Sequence, residues 1–444
     1  MRTIQIQILD PVHSRFLSKE DAVLCQPSVA YDDSGWKQGQ HGNYQVERKA
    51  SFIDLRNKLF LTGFLSRVEQ FCKLKGWGVS YSEDSFVDYD LSLQVTNPTL
   101  PNIVFRPDQI EIINNAVDEQ RGLIIAPTGS GKSILMCGII SSYPDTKWLL
   151  LAHTKSLVEQ LSSDTKKFGL SDRVTVSTRQ TWVKKNTAEW ADYFDGVVID
   201  EIHQGSSGGD YKKILTKMLA PLRYGFTATL PQDQYGRLLI EGLLGPVVGR
   251  QTIEEARNLQ ILAEPKLELI SVPKSKAVAA LKTYKLIYKE GVVDNKVRAR
   301  LTLNKVKELV NRGLTTIIFV QELEHMDNLV WMAATLGIPV SWVQGSTSQD
   351  ERERIKGDLQ SKRISCVISS TVWREGINIP SLGAVILASG LKSEVATLQS
   401  VGRALRRTPD KDQAVIVDFL DPYRYLAEHT INRLKTYHSQ GWIG

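Results

Sequence analysis

Two rhythms of apolar and polar positions divide the 444 residues. Up to about residue 104, short alternating stretches dominate. Met1-Arg-Thr-Ile-Gln-Ile-Gln-Ile-Leu9 switches between polar and apolar at nearly every step, the period of a half-buried strand. Turn-rich sequence follows from Tyr31 to Asn43, then a predicted helix over Phe52–Lys75. Asn97-Pro-Thr-Leu-Pro-Asn102 carries two prolines and reads as a boundary. From Phe105 helical patterns alternate with short runs that are apolar on both faces: Leu123–Ala126, Trp148–Ala152, Val174–Ser177, Val197–Asp200 and Tyr224–Thr227. After a less regular stretch around Leu262–Lys282 a second set appears: Thr316–Val320, Pro339–Val343, Ile364–Ser369, Ala384–Ala388 and Ala414–Asp418. Strands apolar on both sides and separated by helices belong to parallel sheets covered on both faces. The expected architecture is α/β: a small N-terminal α+β domain over 1–104, then two parallel-sheet domains in tandem over 105–261 and 262–444.

Composition narrows the class. With 42% apolar and 23% charged residues, wholesale disorder and fibrous repeats are excluded. No run approaches the ~20 apolar residues that span a bilayer, and the first residues lack the apolar core of a signal peptide. Cys25, Cys72, Cys137 and Cys366 are widely spaced and form no CxxC pair, so a soluble protein of a reducing compartment, the cytoplasm, is expected. Lys and Arg number 26 against 19 acidic residues in 262–444, 18 against 18 in 105–261 and 11 against 12 in 1–104. A basic segment on an otherwise neutral chain fits a polyanion partner such as nucleic acid, although many mildly basic proteins bind none. The acidic stretch from Glu83-Asp84 to Asp88-Tyr-Asp90 has no lysine or histidine to complete a nuclease site and reads as a solvated turn.

The sharpest chemical signal is Ala126-Pro127-Thr128-Gly129-Ser130-Gly131-Lys132-Ser133, between an apolar strand and an apolar, helix-compatible run. Glycines here let successive N–H groups face one anion, and the following helix adds its positive end. Lys132 can then pair with the β- and γ-phosphates of ATP, and the Ser133 hydroxyl can ligate Mg²⁺. A second apolar strand delivers Asp200-Glu201-Ile202-His203 to its C-terminal end, where ligands collect in open α/β sheets. Asp200 suits the Mg²⁺ shell, through water, and Glu201 suits polarisation of the attacking water. His203 is equally compatible with a coupling role and with a plain polar loop position.

These boxes, with Thr227-Ala-Thr229, resemble motifs I, II and III of the superfamily-two helicases. Downstream, Thr316–Val320 resembles motif IV, Ser370-Thr371 through Glu375-Gly376-Ile-Asn378 motif V, and Gln399 through Gly402-Arg403-Ala-Leu-Arg406 motif VI. The order covers about 300 residues, from Phe105 to roughly Asp418. The resemblance implies two RecA-like domains with ATP and Mg²⁺ in the cleft between them. It implies that Arg403 and Arg406 meet phosphate charge when the cleft closes, that Gln399 lines the same cleft, and that His203, Thr227, Thr229, Glu375 and Gly376 couple the nucleotide to movement. Arg407 reads better as an exposed helix position. Phe105-Arg106-Pro-Asp-Gln109 resembles the adenine-reading segment. An amide both donates and accepts, so Gln109 is the candidate for base choice, with a helix-start glutamine as the plainer reading. Asn378 departs from the family, where an Asp is common, and brings no charge.

The same resemblance places nucleic acid against His153, Thr154, Thr178, Arg179, Gln321, Ser370 and Thr371. Most of these groups suit phosphate oxygens better than base edges, so binding would be salt-sensitive and largely independent of sequence. Each could equally be an ordinary strand-end or N-cap residue. Gly345–Ser348, ahead of a helix-like Gln349–Leu359, resembles a further family segment near that face. The motif text is closer to DNA-acting members, above all the UvsW-type phage recombination helicases, than to RNA helicases of the Asp-Glu-Ala-Asp type. That implies an ATP-dependent DNA helicase or translocase acting on forks and four-way junctions, in the cytoplasm of a bacterial or phage-infected cell. An RNA helicase, or a DNA-stimulated ATPase that remodels protein–DNA complexes without separating strands, stays open. A binding module with a dead nucleotide site is disfavoured by the full set Lys132, Asp200, Glu201, Arg403 and Arg406.

Overall fold

The computed structural model describes all residues except 1, 40–41, 87–94, 128, 206–208, 232, 253, 256–258, 260–262, 374–378, 391–410, 412, 440 and 444. They form two compact units, residues 1–126 with 131–250, and residues 127–130 with 251–444. Among the described residues no helix is long and apolar enough to cross a membrane.

The alternating N-terminus forms β1 (Thr3–Ile8), antiparallel to β2 (His13–Phe16). Helix α1 (Lys19–Cys25) starts at Ser18, whose hydroxyl accepts from the Asp21 N–H at 3.0 Å. Strands β3 (Ala30–Gly39) and β4 (Gly42–Ser51) pair as a separate antiparallel ribbon. β5 (Leu59–Leu61) and β6 (Gly78–Tyr81) complete a four-stranded sheet in the order β5-β2-β1-β6, with α2 (Leu65–Leu74) against it. Ile4, Ile6, Phe16, Phe60, Phe64 and Val68 fill its core. The helix predicted over Phe52–Lys75 is therefore confined to its second half. The Asp54 carboxylate accepts the N–H groups of Arg56 (2.9 Å) and Asn57 (3.4 Å), Lys58 turns left-handed (φ 60°), and the chain reverses into β5. An Asp that satisfies neighbouring backbone N–H groups in a turn competes directly with a helix.

The first parallel sheet has six strands: β7 (Arg121–Ile125), β8 (Trp148–Ala152), β9 (Val174–Thr178), β10 (Gly196–Ile199), β11 (Leu222–Thr227) and β12 (Val247–Arg250), in the order β12-β7-β11-β10-β8-β9. Helices α3 (Pro107–Glu119), α4 (Lys132–Ser141), α5 (Lys155–Lys167), α6 (Arg179–Trp182), α7 (Asp210–Leu215) and α8 (Gln234–Leu244) connect and cover it. The N-terminal sheet is interlocked with α8. A Cβ on Gly63 would stand 2.3 Å from the Glu241 carbonyl oxygen, and one on Gly242 would stand 2.6 Å from the Phe64 ring. Arg67 grips Glu241 with two bonds of 2.6 Å, and Phe52 stacks on Tyr235 at 5.3 Å. The proline-marked segment is also held: Leu100 lies in the core of this sheet, and the Thr96 N–H donates to the Ser142 carbonyl at 2.9 Å.

The second unit repeats the plan with β13 (Glu264–Ser271), β14 (Thr315–Phe319), β15 (Ser341–Val343), β16 (Cys366–Ser369), β17 (Leu382–Leu387) and β18 (Gln413–Leu420), in the order β13-β18-β17-β14-β16-β15, all parallel. Its helices are α9 (Lys276–Ala279), α10 (Tyr284–Tyr288), α11 (Lys296–Asn311), α12 (Leu323–Thr335), α13 (Gln349–Gln360) and α14 (Leu426–Ser439). The tandem parallel-sheet architecture expected from the sequence is present. β13 and β12, both at sheet edges, were not anticipated. Beneath the second sheet Arg298 pairs with Asp421 at 3.0 Å and Arg433 with Asp418 at 2.7 Å, all four buried.

His325 on α12 is 1% exposed and its Nδ1 has no hydrogen-bond partner. Burial, reinforced by the Arg298 charge, pulls its pKa down from 6.5 to about 3. Below pH 6.5 the unfolded chain takes a proton that the folded chain refuses, so stability should fall by up to about 1.4 kcal/mol per pH unit from there toward pH 3. Urea midpoints measured over that window should drop more steeply for the wild type than for His325→Leu; parallel curves would contradict this.

Candidate functional site

Parallel pairing aligns the C-terminal ends of the first sheet. Ile199 of β10 is opposite Leu151 of β8, and the Asp200 N–H donates to the Leu151 carbonyl at 2.9 Å. The motif residues that follow β7, β8, β10 and β11 are therefore delivered to one edge, which explains why motifs distant in sequence meet.

After β7 the loop tightens on itself: the Ser130 hydroxyl donates to the Pro127 carbonyl at 2.9 Å, and Gly129 is left-handed (φ 90°). Gly131 N-caps α4 at φ 100° with no side-chain cap, the kind of helix start whose positive end suits an anion. The Lys132 Nζ donates to Glu201 Oε1 at 2.7 Å, with 12% and 11% of the two side chains exposed. Glu201 itself is left-handed (φ 50°), a conformation that costs a non-glycine residue roughly 1–2 kcal/mol and is characteristic of functional sites. Its backbone N–H donates to Asp200 Oδ1 at 3.0 Å.

The two carboxylates are pushed apart in acidity. Burial, and then the charge of Glu201, raise Asp200 to about 6. Burial would raise Glu201 as well, but the charge of Lys132 and then that of His203 outweigh it and hold its carboxyl below the ordinary range. His203 Nδ1 stands 2.8 Å from Thr227 Oγ1 and 3.3 Å from Glu201 Oε2. The Thr227 hydroxyl already donates to the Thr229 carbonyl at 2.6 Å, so it accepts from His203, which fixes the proton on Nδ1. Lys132, Glu201, His203, Thr227 and Thr229 thus form one continuous chain of contacts.

Gln109 sits at the helix start, as its plainer reading has it, with one amide atom left over. Its Oε1 accepts the Arg106 N–H at 3.2 Å at the start of α3, and its Nε2 is buried without a partner. That orphan donor points at the phosphate loop, since a Cβ on Gly131 would stand 2.9 Å from it. A buried donor beside a backbone that only glycine permits suits the edge of a purine, and with Lys132 and the uncapped α4 the donors fit ATP. Arg106 is held by Asp108 at 3.0 Å.

The expected nucleic-acid residues are more scattered in role. Thr154 and Thr178 are N-caps of α5 and α6, accepting from Leu157 and Thr181. His153 follows β8 and lies close enough to favour the ionised forms of both Asp200 and Glu201. Arg179 lies over the Tyr211 ring at 5.3 Å. In the second unit Gln321 is exposed after β14, the buried Ser370 donates its N–H to the Val343 carbonyl at 3.1 Å, and Thr371 begins a single turn. Thr128, Glu375, Gly376, Asn378, Gln399, Arg403, Arg406 and Arg407 lie outside the described residues. Tyr211 was not anticipated: it is 1% exposed, its hydroxyl has no partner, and it feels Arg179, Asp200 and Glu201. No spacing around Asp210-Tyr211 signals this.

Comparison with known proteins agrees with this geometry. A family model described as type III restriction enzyme, res subunit, matches residues 102–173 and 163–232, and the helicase conserved C-terminal domain matches 301–408. The chain belongs to the superfamily-two helicases. The helicase is therefore an ATP hydrolase. It is 25% identical over 364 residues to the DNA 3'-5' translocase XPB2 of Sulfurisphaera tokodaii, spanning 71% of this chain and 81% of that one. It is 23% identical over 440 residues to the ATP-dependent DNA helicase uvsW of Enterobacteria phage T4, spanning 86% of both. Its fold matches the fragment structure of a putative HsdR subunit of a type I restriction enzyme from Vibrio vulnificus at a TM-score of 0.57 and 16% identity, over 91% of this chain and 94% of that one.

In this helicase Gly131→Ala would force a Cβ to within 2.9 Å of Gln109 Nε2 at a φ of 100°. ATP turnover should fall at least about tenfold with an unchanged circular dichroism spectrum. Wild-type turnover would mean that the loop does not close on the nucleotide in this conformation.

Proposed function

We propose that the protein is an ATP-driven DNA motor that remodels branched duplexes, forks and four-way junctions among them. The observation that carries this reading is the chain from Lys132 through Glu201 and His203 to Thr227 and Thr229. It runs from a phosphate-binding lysine to the segment after β11, as a device that converts nucleotide state into movement requires. The relatives named as a DNA helicase and a DNA translocase favour DNA over RNA as the track.

On this reading the Lys132–Glu201 pair is the resting state. Arriving β- and γ-phosphates offer Lys132 more negative charge than one carboxylate, so Lys132 moves to them and Glu201 is released to orient and polarise water. Ser133 and Asp200 would hold Mg²⁺, which neutralises phosphate charge when bound. Because His203 Nδ1–H faces both Glu201 and Thr227, loss of the lysine shifts the histidine toward Glu201 and loosens its hold on Thr227. Gln109 would read the adenine edge. Gln399, Arg403 and Arg406 are our candidates for groups that stabilise the phosphate during transfer, with Glu375 and Gly376 as coupling residues. Thr154, Thr178, Arg179, Gln321, Ser370 and Thr371 would meet the sugar-phosphate backbone.

ATPase rates measured in parallel on single-stranded DNA, duplex, fork, four-way junction and RNA should be highest on the branched DNA. Highest stimulation by RNA would overturn the assignment. Lys132→Ala should abolish turnover yet leave salt-sensitive DNA binding intact. Glu201→Gln should bind ATP but hydrolyse it about 10²-fold more slowly or worse, the loss of one well-placed catalytic group. Arg403→Ala should lower kcat far more than it weakens ATP binding; equal losses would exclude a role in the transition state.

A further inference from the structure

Between Glu268 and Glu290 the chain carries Lys274, Lys276, Lys282, Lys285 and Lys289 and no acidic residue. All five lysines are exposed. Glu324 and Asp294 hold Lys289, at 2.9 and 3.7 Å, whereas the other four have no carboxylate partner among the described residues. None of the strand-end motifs includes this segment.

It is nonetheless firmly built. Val278, Ile287, Val292, Tyr423 and Leu426 form a small core of their own beneath it. The Ser275 N–H donates to the Tyr423 hydroxyl at 3.0 Å, and the Tyr288 hydroxyl donates to the Ser389 carbonyl at 3.1 Å. Helix α10 widens at its end into a π turn, Lys289–Val293, a departure often found at functional positions. On this base Tyr284 is 45% exposed, and its ring is braced by Tyr288 at 5.8 Å, by Tyr425 edge-on at 6.1 Å and by His429 at 5.6 Å. The exposed Arg424 lies over Tyr425 at 5.0 Å. Partial burial, and then the charge of Glu322, raise the Tyr284 phenol above its ordinary pKa.

We propose that Tyr284, with Lys282 and Lys285 beside it in the chain and Arg424 over its neighbour Tyr425, is a stacking platform on the second unit that binds single-stranded DNA. A ring fixed by three neighbours but open to solvent offers a π-face without ordering cost, and unpaired bases can occupy it whereas bases stacked inside a duplex cannot. Lysines on flexible stems supply point charges for phosphates rather than forks that read base edges, so binding here is indifferent to sequence. The inference rests on the reading of the protein as a DNA motor and adds a strand-holding surface to it.

The test uses the full chain without nucleotide and a fluorescein-labelled oligothymidylate, read by anisotropy over a salt series. Tyr284→Ala should weaken binding about fivefold or more, and Tyr284→Phe should keep wild-type affinity because the ring is what stacks. Lys282→Ala with Lys285→Ala should lower the slope of log affinity on log salt by about 1.4, two phosphates' worth on a single strand. ATP hydrolysis without DNA should be unchanged in all three. Wild-type affinity and slope in both the alanine and the double lysine variant would overturn the platform alone. A Tyr284→Phe loss as large as that of Tyr284→Ala would also overturn it, since stacking would not be the cause. A wild-type protein that binds no oligothymidylate overturns the platform, and one that binds no labelled fork or duplex either overturns the DNA-motor reading as well.

Discussion

A lysine and a glutamate that are both nearly buried, Lys132 and Glu201, hold each other at 2.7 Å. The cost of taking two charges out of water is offset only if each keeps a partner. Glu201 reaches Lys132 from a left-handed backbone, with His203 Nδ1 3.3 Å from its other oxygen, while Lys132 starts the uncapped helix α4. Every element of the site is consistent with a lysine that has one alternative partner, a phosphate. Phosphate brings more charge and can also use the N–H groups of the helix start, so exchange is favourable, but it leaves a buried carboxylate without its cation. That uncompensated charge stands against Asp200, which repels it, and His203, whose charge favours it, so the nearest group able to respond is the histidine that also contacts Thr227.

Much of this was legible in the sequence because it depends on short-range rules. The phosphate loop, the acidic pair at a strand end and the apolar strands of both sheet centres follow from spacing and from burial on two faces. Two of the four edge strands of these sheets, β12 and β13, were missed for the converse reason. β13 alternates Glu264, Lys266 and Glu268 with apolar positions, because one side faces water, and so it lacks the run of apolar residues that marks a central parallel strand. The predicted helix at Phe52 failed because Asp54 stabilises a turn whose register with Leu59 depends on a strand contributed from elsewhere. The double use of Gln109, one amide atom for the helix start and the other for the loop, needed coordinates, since sequence cannot say which atom faces where.

The buried cations show how far composition hides structure. Arg298 and Arg433 in the second unit have carboxylates, Asp421 and Asp418. Arg223, on β11 in the first unit, is fully buried and bonds only to carbonyls, those of Leu215, Met218, Ala220 and Leu243. Burial, and then Arg121, pull its pKa down to about 9, which still leaves it cationic at neutral pH. The negative ends of α7 and α8 stand in for a carboxylate. Arg223 therefore ties both helices to β11, the strand that ends in Thr227.

The same helix α8 carries the N-terminal sheet. Gly63 and Gly242 permit a backbone approach that no side chain would tolerate, and Arg67 clamps Glu241 across it. A close glycine contact resists sliding because any displacement brings backbone against ring, and a bidentate guanidinium resists rotation. The N-terminal sheet, α8 and β11 are thereby joined through two arginines, Arg67 on Glu241 and Arg223 on the Leu243 carbonyl, both in the last turn of α8. The N-terminal sheet, which contributes no motif residue, is thus packed into the same compact unit as the elements that carry Lys132 and Glu201.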